Sequence, residues 1–178
     1  VFDPASKAWS RLPPLPSPRS SHELLAEDGK LYVVGGWGMA NGKGVEWFAH
    51  SLMADLSKKT FKWEKILHPN WRARAHSSVI LDGRLFVIGG LDENGTTDAV
   101  HVLDLKTRIW GKGPDYPSAN SLKAFGSAVC ASEGKVIACS YSYQPRILEE
   151  SNSTWRPAQA KVKVKRFFHR MIPRHSGQ

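Results

Sequence analysis

The sequence contains little cysteine and no long apolar run. Cys130 and Cys139 are the only cysteines among 178 residues, which is too few for a disulfide framework, and no paired CxxC spacing predicts a zinc site. A hairpin turning at Glu133-Gly134 would place the two thiols diagonally on neighbouring strands, so we expect both to be free. No stretch approaches the roughly 20 apolar residues of a membrane helix, and we expect no membrane span.

Acidic residues are outnumbered. Lys and Arg total 25 against 16 Asp and Glu, and the formal net charge of +9 favours acidic partners without naming one. No phosphate-binding loop is predicted, because Gly35-Gly36-Trp37-Gly38 follows an apolar run but opens no helix. No nucleic-acid-binding module is recognisable, so nucleic acid is not an expected partner. The sequence assigns no compartment.

Glycine, proline and tryptophan are abundant instead, with 15, 11 and 7 residues. Many turns combined with large aromatic residues favour an all-β fold. The apolar run at 31–34, which ends in the doublet Gly35-Gly36, recurs 54 residues later at 85–88 with the doublet Gly89-Gly90. The same shift relates three further pairs, which are Asp28-Gly29 and Asp82-Gly83, His22 and His76, and Trp9 and Trp63.

A third, degraded copy follows at 133–140, where Cys139-Ser140 replaces the glycine doublet. The tryptophans of the series are Trp9, Trp63, Trp110 and Trp155. Their period of about 45 to 54 residues is typical of propeller blades. Because they recur in phase, we expect these four indoles to pack between blades.

Each repeat can be divided into four short strands. Residues 75–81 predict a first strand, and Asp82-Gly83 predicts a tight hairpin turn. Residues 85–88 predict a second strand buried on both faces, which ends at glycines where blades crowd and a Cβ would not fit. A third strand is predicted at 99–104 and a fourth from Trp110. Such units form four-stranded antiparallel blades around a channel.

A glycine doublet after an apolar strand, followed about twenty residues later by a tryptophan after a turn, resembles the Kelch repeat. The resemblance covers nearly the whole chain and implies a β-propeller. The sequence departs from the family in the third copy, and the usual tyrosine before the third-strand turn is replaced by Phe2, Ala54 and Leu103.

The repeat divides residues 1–178 into a Kelch-type propeller segment. We assign 1–18 to the end of one blade, 19–72 and 73–120 to whole blades, 121–165 to a degraded blade, and 166–178 to the first strand of the next. Kelch propellers mostly close with about five to seven blades, so we expect an incomplete part of a larger ring, completed by the rest of the propeller in cis. The alternative is a four-bladed ring whose shared blade lacks its second strand.

Arginines cluster just before the predicted first strands, at Arg19, Arg72, Arg74 and Arg166, with Arg170 and Arg174 nearby. Recurrence at this phase would place the guanidiniums around one mouth of the channel. In Kelch domains these loops commonly form the ligand face, and a guanidinium pairs bidentately with a carboxylate. The alternative is that these arginines make structural hydrogen bonds to neighbouring blades.

Two tryptophans lie outside the repeat phase. Trp37 and Trp47 flank a glycine-rich loop after the first doublet. Exposed indoles beside a basic mouth would form a platform for a sugar or a peptide, and the alternative is that they pack down over the blade. The alternation of basic and apolar residues at 161–166 predicts an outer strand with one solvated face.

Metal and cofactor chemistry are not expected. His22, His76 and His169 are related by the repeat, so they spread around a ring rather than converge on one ion, and we expect them to be hydrogen-bonded between blades. A copper radical oxidase, one of the enzymes on this fold, needs a Cys-Tyr crosslink and two histidines. Tyr141 and Tyr143 share one predicted strand with Cys139, and no histidine pair accompanies them.

The sequence therefore favours a non-catalytic interaction module that presents a basic propeller face to an acidic protein segment or an anionic glycan. The alternative is a carbohydrate-active Kelch enzyme, such as a sialic-acid mutarotase-like epimerase. In that enzyme Arg74 would bind the substrate carboxylate, and the acid/base group would be Glu46, Glu93 or Glu149.

Overall fold

The computed structural model describes residues 1–39, 42, 44–142, 144–149 and 153–172. β1 (Phe2–Asp3) and β2 (Ala8–Trp9) pair as a two-stranded antiparallel sheet, with Phe2 opposite Trp9. The next strands are β3 (Glu23–Glu27), β4 (Lys30–Val34), β5 (Trp37–Gly38), β6 (Glu46–Trp47), β7 (His50–Asp55) and β8 (Glu64–Leu67). β3, β4, β7 and β8 form the first blade, and β5 pairs with β6 in the connection between β4 and β7.

Two further blades follow. The second contains β9 (Ser77–Leu81), β10 (Arg84–Asp92), β11 (Gly95–Asp104) and β12 (Trp110–Lys112). The third contains β13 (Ala128–Ser132), β14 (Lys135–Cys139), β15 (Arg146–Glu149) and β16 (Arg156–Pro157). All neighbouring strands within these blades are antiparallel and follow chain order, which confirms the predicted all-β blade architecture. Across the described ranges, no helix has the length and apolar character needed to cross a bilayer.

The predicted first hairpins are present in all three blades. In the second blade Leu81 pairs with Arg84 around Asp82 and Gly83, which have φ angles of 49° and 71°. Two successive left-handed residues match the right-handed twist of the flanking strands. The turn at Glu133 and Gly134 has the same form, with φ angles of 51° and 67°.

Two apolar clusters lie between consecutive blades. One joins Val34 and Met53 of the first blade to Leu85 and Val87 of the second. The other joins the second and third blades through eight buried residues, which are Phe86, Ile88, Val100, Tyr116, Ala124, Val136, Ala138 and Leu148. The core therefore lies in the gaps between blades, as expected for repeats that cannot bury their faces alone.

Two of the predicted inter-blade tryptophans pack on these clusters, and a third is hydrogen-bonded to the end of the preceding blade. Trp110 packs on the first cluster and Trp155 on the second. Trp155 donates its indole N–H to the Pro114 carbonyl at 2.9 Å, and Trp63 donates to the equivalent Pro13 carbonyl at 3.4 Å. Each of these two bonds connects a blade to the end of the preceding one.

Trp9 does not pack between blades. Its side chain is 80% exposed, and its ring contacts Phe2 at a centroid distance of 5.2 Å. Within the described residues β1 and β2 pair only with each other, so no buried second strand of the same sheet packs beside this indole.

The basic stretch at 161–166 is not a strand, which corrects the predicted outer strand there. The outer strand of the third blade is β16, which pairs with β15 through Arg156 and Pro157. Residues 166–172 of the predicted next first strand are not assigned to a strand either, and 173–178, including Arg174, lie outside the described residues.

Backbone hydrogen bonds connect the blades around the channel. The amide of Ala75 donates to the Ser21 carbonyl at 3.0 Å, that of Gly126 to Ala75 at 3.3 Å, and that of Phe168 to Gly126 at 2.8 Å. All four residues have positive φ, between 49° and 60°. The segment at Phe168 thus continues the blade series by one more position, and the described residues form an open arc of blades rather than a closed ring.

Candidate functional site

One side of the arc carries the segments that enter the first strands. In the first blade Ser20 and Trp37 form an antiparallel bridge, and Arg74 and Leu91 form the equivalent bridge in the second. Each bridge holds an entry segment against the connection between second and third strands. We call this surface the loop face and define it by the entry segments 18–22, 72–76, 123–127 and 165–169 and the connections starting at Trp37, Leu91 and Tyr141.

The structure brings together three of the predicted site residues on the loop face. Trp37 and Trp47 are paired across β5 and β6. The guanidinium carbon of Arg74, from the next blade, lies 4.9 Å from the Trp37 ring centroid and 5.4 Å from that of Trp47. A guanidinium at these distances is attracted by the negative ring faces. The two indoles therefore fix the position of the Arg74 side chain.

Arg74 has no acidic partner within the described part of the chain. No hydrogen bond or ion pair joins its guanidinium to another described residue, and its buried Nε is unpaired there, as is the buried indole Nε1 of Trp37. A charged donor left without an acceptor is costly, so a carboxylate from outside would stabilise this arrangement. The cluster therefore presents a guanidinium held by two indoles, with no acidic partner among the described residues.

Arg19 is bonded within its own blade. Its guanidinium donates to the carbonyl oxygens of Gly35 at 2.9 Å and His50 at 3.3 Å, and it lies 4.0 Å above the Phe48 ring. Burial lowers the pKa of Arg19 to about 10. The structural alternative from the sequence placed such hydrogen bonds between neighbouring blades, whereas Arg19 makes them within its own blade.

The remaining two predicted arginines have different surroundings. Arg72 is exposed and forms an ion pair with Glu93 at 3.2 Å. Arg166 is exposed beside a surface cavity lined in part by Val162 and His169. The four arginines therefore have different surroundings. For Arg19 and Arg74 the offset from the repeat histidine also differs, with Arg19 three residues before His22 and Arg74 two before His76.

A cavity of about 370 Å³ occupies the channel, where the first strands begin. Arg74 and Arg170 line it together with Glu23, and Phe125 and Phe168 supply aromatic surface. The Arg170 guanidinium donates to the Glu23 carboxylate at 3.0 Å. The importance of Phe125 and Phe168 was not recognised from the sequence, although both stand within two residues of the repeat position that His76 marks.

The histidine expectation is met at His76. Its side chain is 3% exposed; Nε2 donates to the Val34 carbonyl of the preceding blade at 3.2 Å, and Nδ1 accepts from the Ser78 hydroxyl. Burial lowers the pKa of His76 to about 4 and also lowers the pKa values of His22 and His169. No group of three metal-ligating side chains is present among the described residues.

Trp71 forms an inter-blade stack that the repeat analysis did not find. Its ring lies 3.5 Å from that of His68 and 4.5 Å from that of His101, nearly parallel to both. Trp110 meets the stack edge-on at 4.9 Å. Trp71 and His68 lie outside the repeat phase, so the sequence offered no signal for this contact.

Two of the candidate catalytic carboxylates are already paired. Glu93 accepts from Arg72, and Glu149 accepts from Arg156 at 2.6 Å, which contributes to the lowered pKa of Glu149. Both cysteines are free, and the Tyr141 ring stacks on Phe167 at 4.4 Å. Tyr143 lies outside the described residues.

Four-stranded antiparallel blades set side by side around a channel define a β-propeller segment. The family model described as the KLHDC2/KLHL20/DRC7 Kelch-repeats domain matches residues 1–156, and the chain belongs to the Kelch-repeat family.

The chain is similar to several known proteins. Kelch-like protein 40 of Xenopus laevis is 24% identical over 120 residues, which cover 67% of this chain and 19% of that protein. Kelch-like protein 33 of Homo sapiens is 30% identical over 149 residues, which cover 78% and 27%. The chain thus spans less than a third of the length of these curated relatives. A solved structure titled "Structure of YjhT" has a TM-score of 0.65 at 17% identity, covers 85% of this chain and 53% of that one, and supports the fold alone.

Proposed function

We propose that this chain is a non-catalytic protein-interaction module whose loop face binds an acidic protein segment. The observation that carries the proposal is the Arg74 guanidinium, which two indole rings position and which has no acidic partner among the described residues. A guanidinium prepared in this way loses little freedom when it pairs with a carboxylate.

Charge supports the same proposal. The net charge of +9 attracts acidic segments over the range of the Debye length. Trp37 and Trp47 add aromatic surface, which is enriched at the centres of protein interfaces. Since Glu93 and Glu149 are engaged by arginines of their own blades, the geometry supports binding better than acid/base catalysis by these carboxylates.

The test is fluorescence anisotropy with a labelled glutamate-rich peptide, and the same peptide with glutamine for glutamate as the ligand control. Replacement Arg74→Gln removes one charge-assisted hydrogen-bonding group and is expected to weaken binding by roughly 10- to 100-fold. The matched control is Arg72→Gln, whose charge is already neutralised by Glu93; we expect a change of about twofold or less.

Equal affinity of the wild-type chain and the Arg74→Gln variant would refute the proposal. An anionic glycan shares the carboxylate chemistry, so sialic acid is added as a competitor. Displacement of the peptide by sialic acid, lost in Arg74→Gln, would assign the site to a glycan instead of a protein segment.

A further inference from the structure

The channel cavity has walls of two kinds. Arg74 and Arg170 provide positive charge, and Phe125 and Phe168 provide apolar surface beside them. Its volume of about 370 Å³ is within the range of a pocket that takes a small group. A space with two guanidiniums and aromatic walls suits the carboxylate and methylenes of one acidic side chain.

One of the two guanidiniums is already occupied by a residue of this chain. Arg170, which follows the last described blade position, donates to Glu23 of the first strand at 3.0 Å. The two residues are 147 positions apart in the sequence, so the contact joins the first blade to the segment that follows the third. The Glu23 side chain is 19% exposed, whereas that of Arg170 is 72% exposed. Glu23 is therefore a largely buried carboxylate of the cavity wall, and it binds the exposed guanidinium of Arg170.

We propose that the channel cavity is a subsite for one acidic side chain of the partner. When no partner is bound, Glu23 pairs with the Arg170 guanidinium of this subsite. The inference rests on the proposed function and adds the position of the acidic side chain and its internal competitor. The partner carboxylate would pair with Arg74 and take Arg170 from Glu23. Glu23 thereby lowers the affinity for weakly acidic segments and restricts binding to those that compete successfully.

Three variants test this competition with the same labelled glutamate-rich peptide. Glu23→Gln keeps the side-chain shape and releases Arg170, so we expect affinity to rise about two- to fivefold at low salt. Arg170→Gln is expected to weaken binding. In the double variant Glu23→Gln with Arg170→Gln, the gain from Glu23→Gln should disappear, because the cation that it releases is absent.

The control for charge alone is Glu93→Gln. It also removes one negative charge and releases one arginine on the loop face, but neither Glu93 nor Arg72 lines the cavity. We expect it to raise affinity less than Glu23→Gln does. Urea unfolding of each variant verifies that the fold is retained.

Three results would overturn the inference. One is an equal gain in Glu93→Gln and Glu23→Gln, which would show a general effect of charge. The second is a gain from Glu23→Gln that persists without Arg170, and the third is no gain from Glu23→Gln at all. In each case a loss of binding in Arg74→Gln would still support the proposed function, whereas no effect of Arg74→Gln would refute both.

Discussion

Gly89→Ala should destabilise the arc of blades much more than an alanine at another left-handed glycine. Gly89 lies inside β10, at the register shift that follows Ile88, with a φ of 63°, and an added Cβ would lie 2.6 Å from the carbonyl oxygen of Ala124 in the next blade. The left-handed conformation costs a residue with a Cβ about 1 kcal/mol or more. Forcing apart two packed blades adds about 1–3 kcal/mol. We therefore expect a total loss of about 2–4 kcal/mol of unfolding free energy.

The matched control is Gly83→Ala in the hairpin turn of the same blade. Gly83 has a φ of 71°, but no atom lies within 4 Å of its added Cβ. This variant therefore measures the conformational cost alone, about 1 kcal/mol. Urea unfolding followed by tryptophan fluorescence gives both values, provided the slopes with denaturant agree. Equal losses in the two variants would refute the claim that the doublet is required by close approach of blades.

Three other consequences are open to measurement. Burial lowers the pKa of folded His76 from 6.5 to about 4, so the unfolded chain takes up a proton first as the pH falls. The free energy of unfolding should therefore decrease as the pH falls from 6.5 to about 4, and this decrease should be less steep in His76→Gln. Trp9→Ala should change the free energy of unfolding by no more than about 0.5 kcal/mol, since this side chain is 80% exposed. Trp110→Ala removes inter-blade packing and should cost about 2 kcal/mol or more. Urea unfolding measures both values. A thiol reagent should modify half-buried Cys130 first, and should reach Cys139, which is 1% exposed, only on unfolding; burial raises the pKa of both thiols and slows both reactions.

Features that the backbone requires could be predicted from the sequence. Each blade needs two left-handed residues at its first hairpin, and Asp-Gly, the pair at 82–83, is typical of such turns. The first and second blades also approach the next blade closely at Gly35 and Gly89, just after the apolar run of the second strand, and this close approach selects glycine. Such constraints recur wherever the blade recurs, so a shift of 54 residues located the strands of the first two blades.

The surroundings of individual side chains could not be predicted in the same way. Arg19 and Arg74 both precede a first strand, yet one is bonded to its own blade and the other lies over indoles of the preceding blade. Their offsets from the repeat histidine differ by one residue, and a shift of one residue along extended backbone turns a side chain to the other side. A count of arginines near one phase could not resolve that difference.

The other differences between the predicted and the observed structure occur where the expected neighbouring strand is not available. The alternation at 161–166 has strand periodicity, but β16 already occupies the outer position beside β15. Trp9 has the repeat phase of an inter-blade tryptophan but lies on a two-stranded sheet. A periodic pattern reports which residue types recur along the sequence, whereas strand formation and burial depend on the neighbouring strands that the segment packs against.

The most direct test of the central claim is an NMR titration of the isotope-labelled chain with the glutamate-rich peptide. The account predicts that the largest shifts occur at the indole N–H groups of Trp37 and Trp47 and at the Arg74 side chain on the loop face. Shifts concentrated instead at the hairpin turns Asp28-Gly29 and Asp82-Gly83, with the loop-face indoles unchanged, would contradict it.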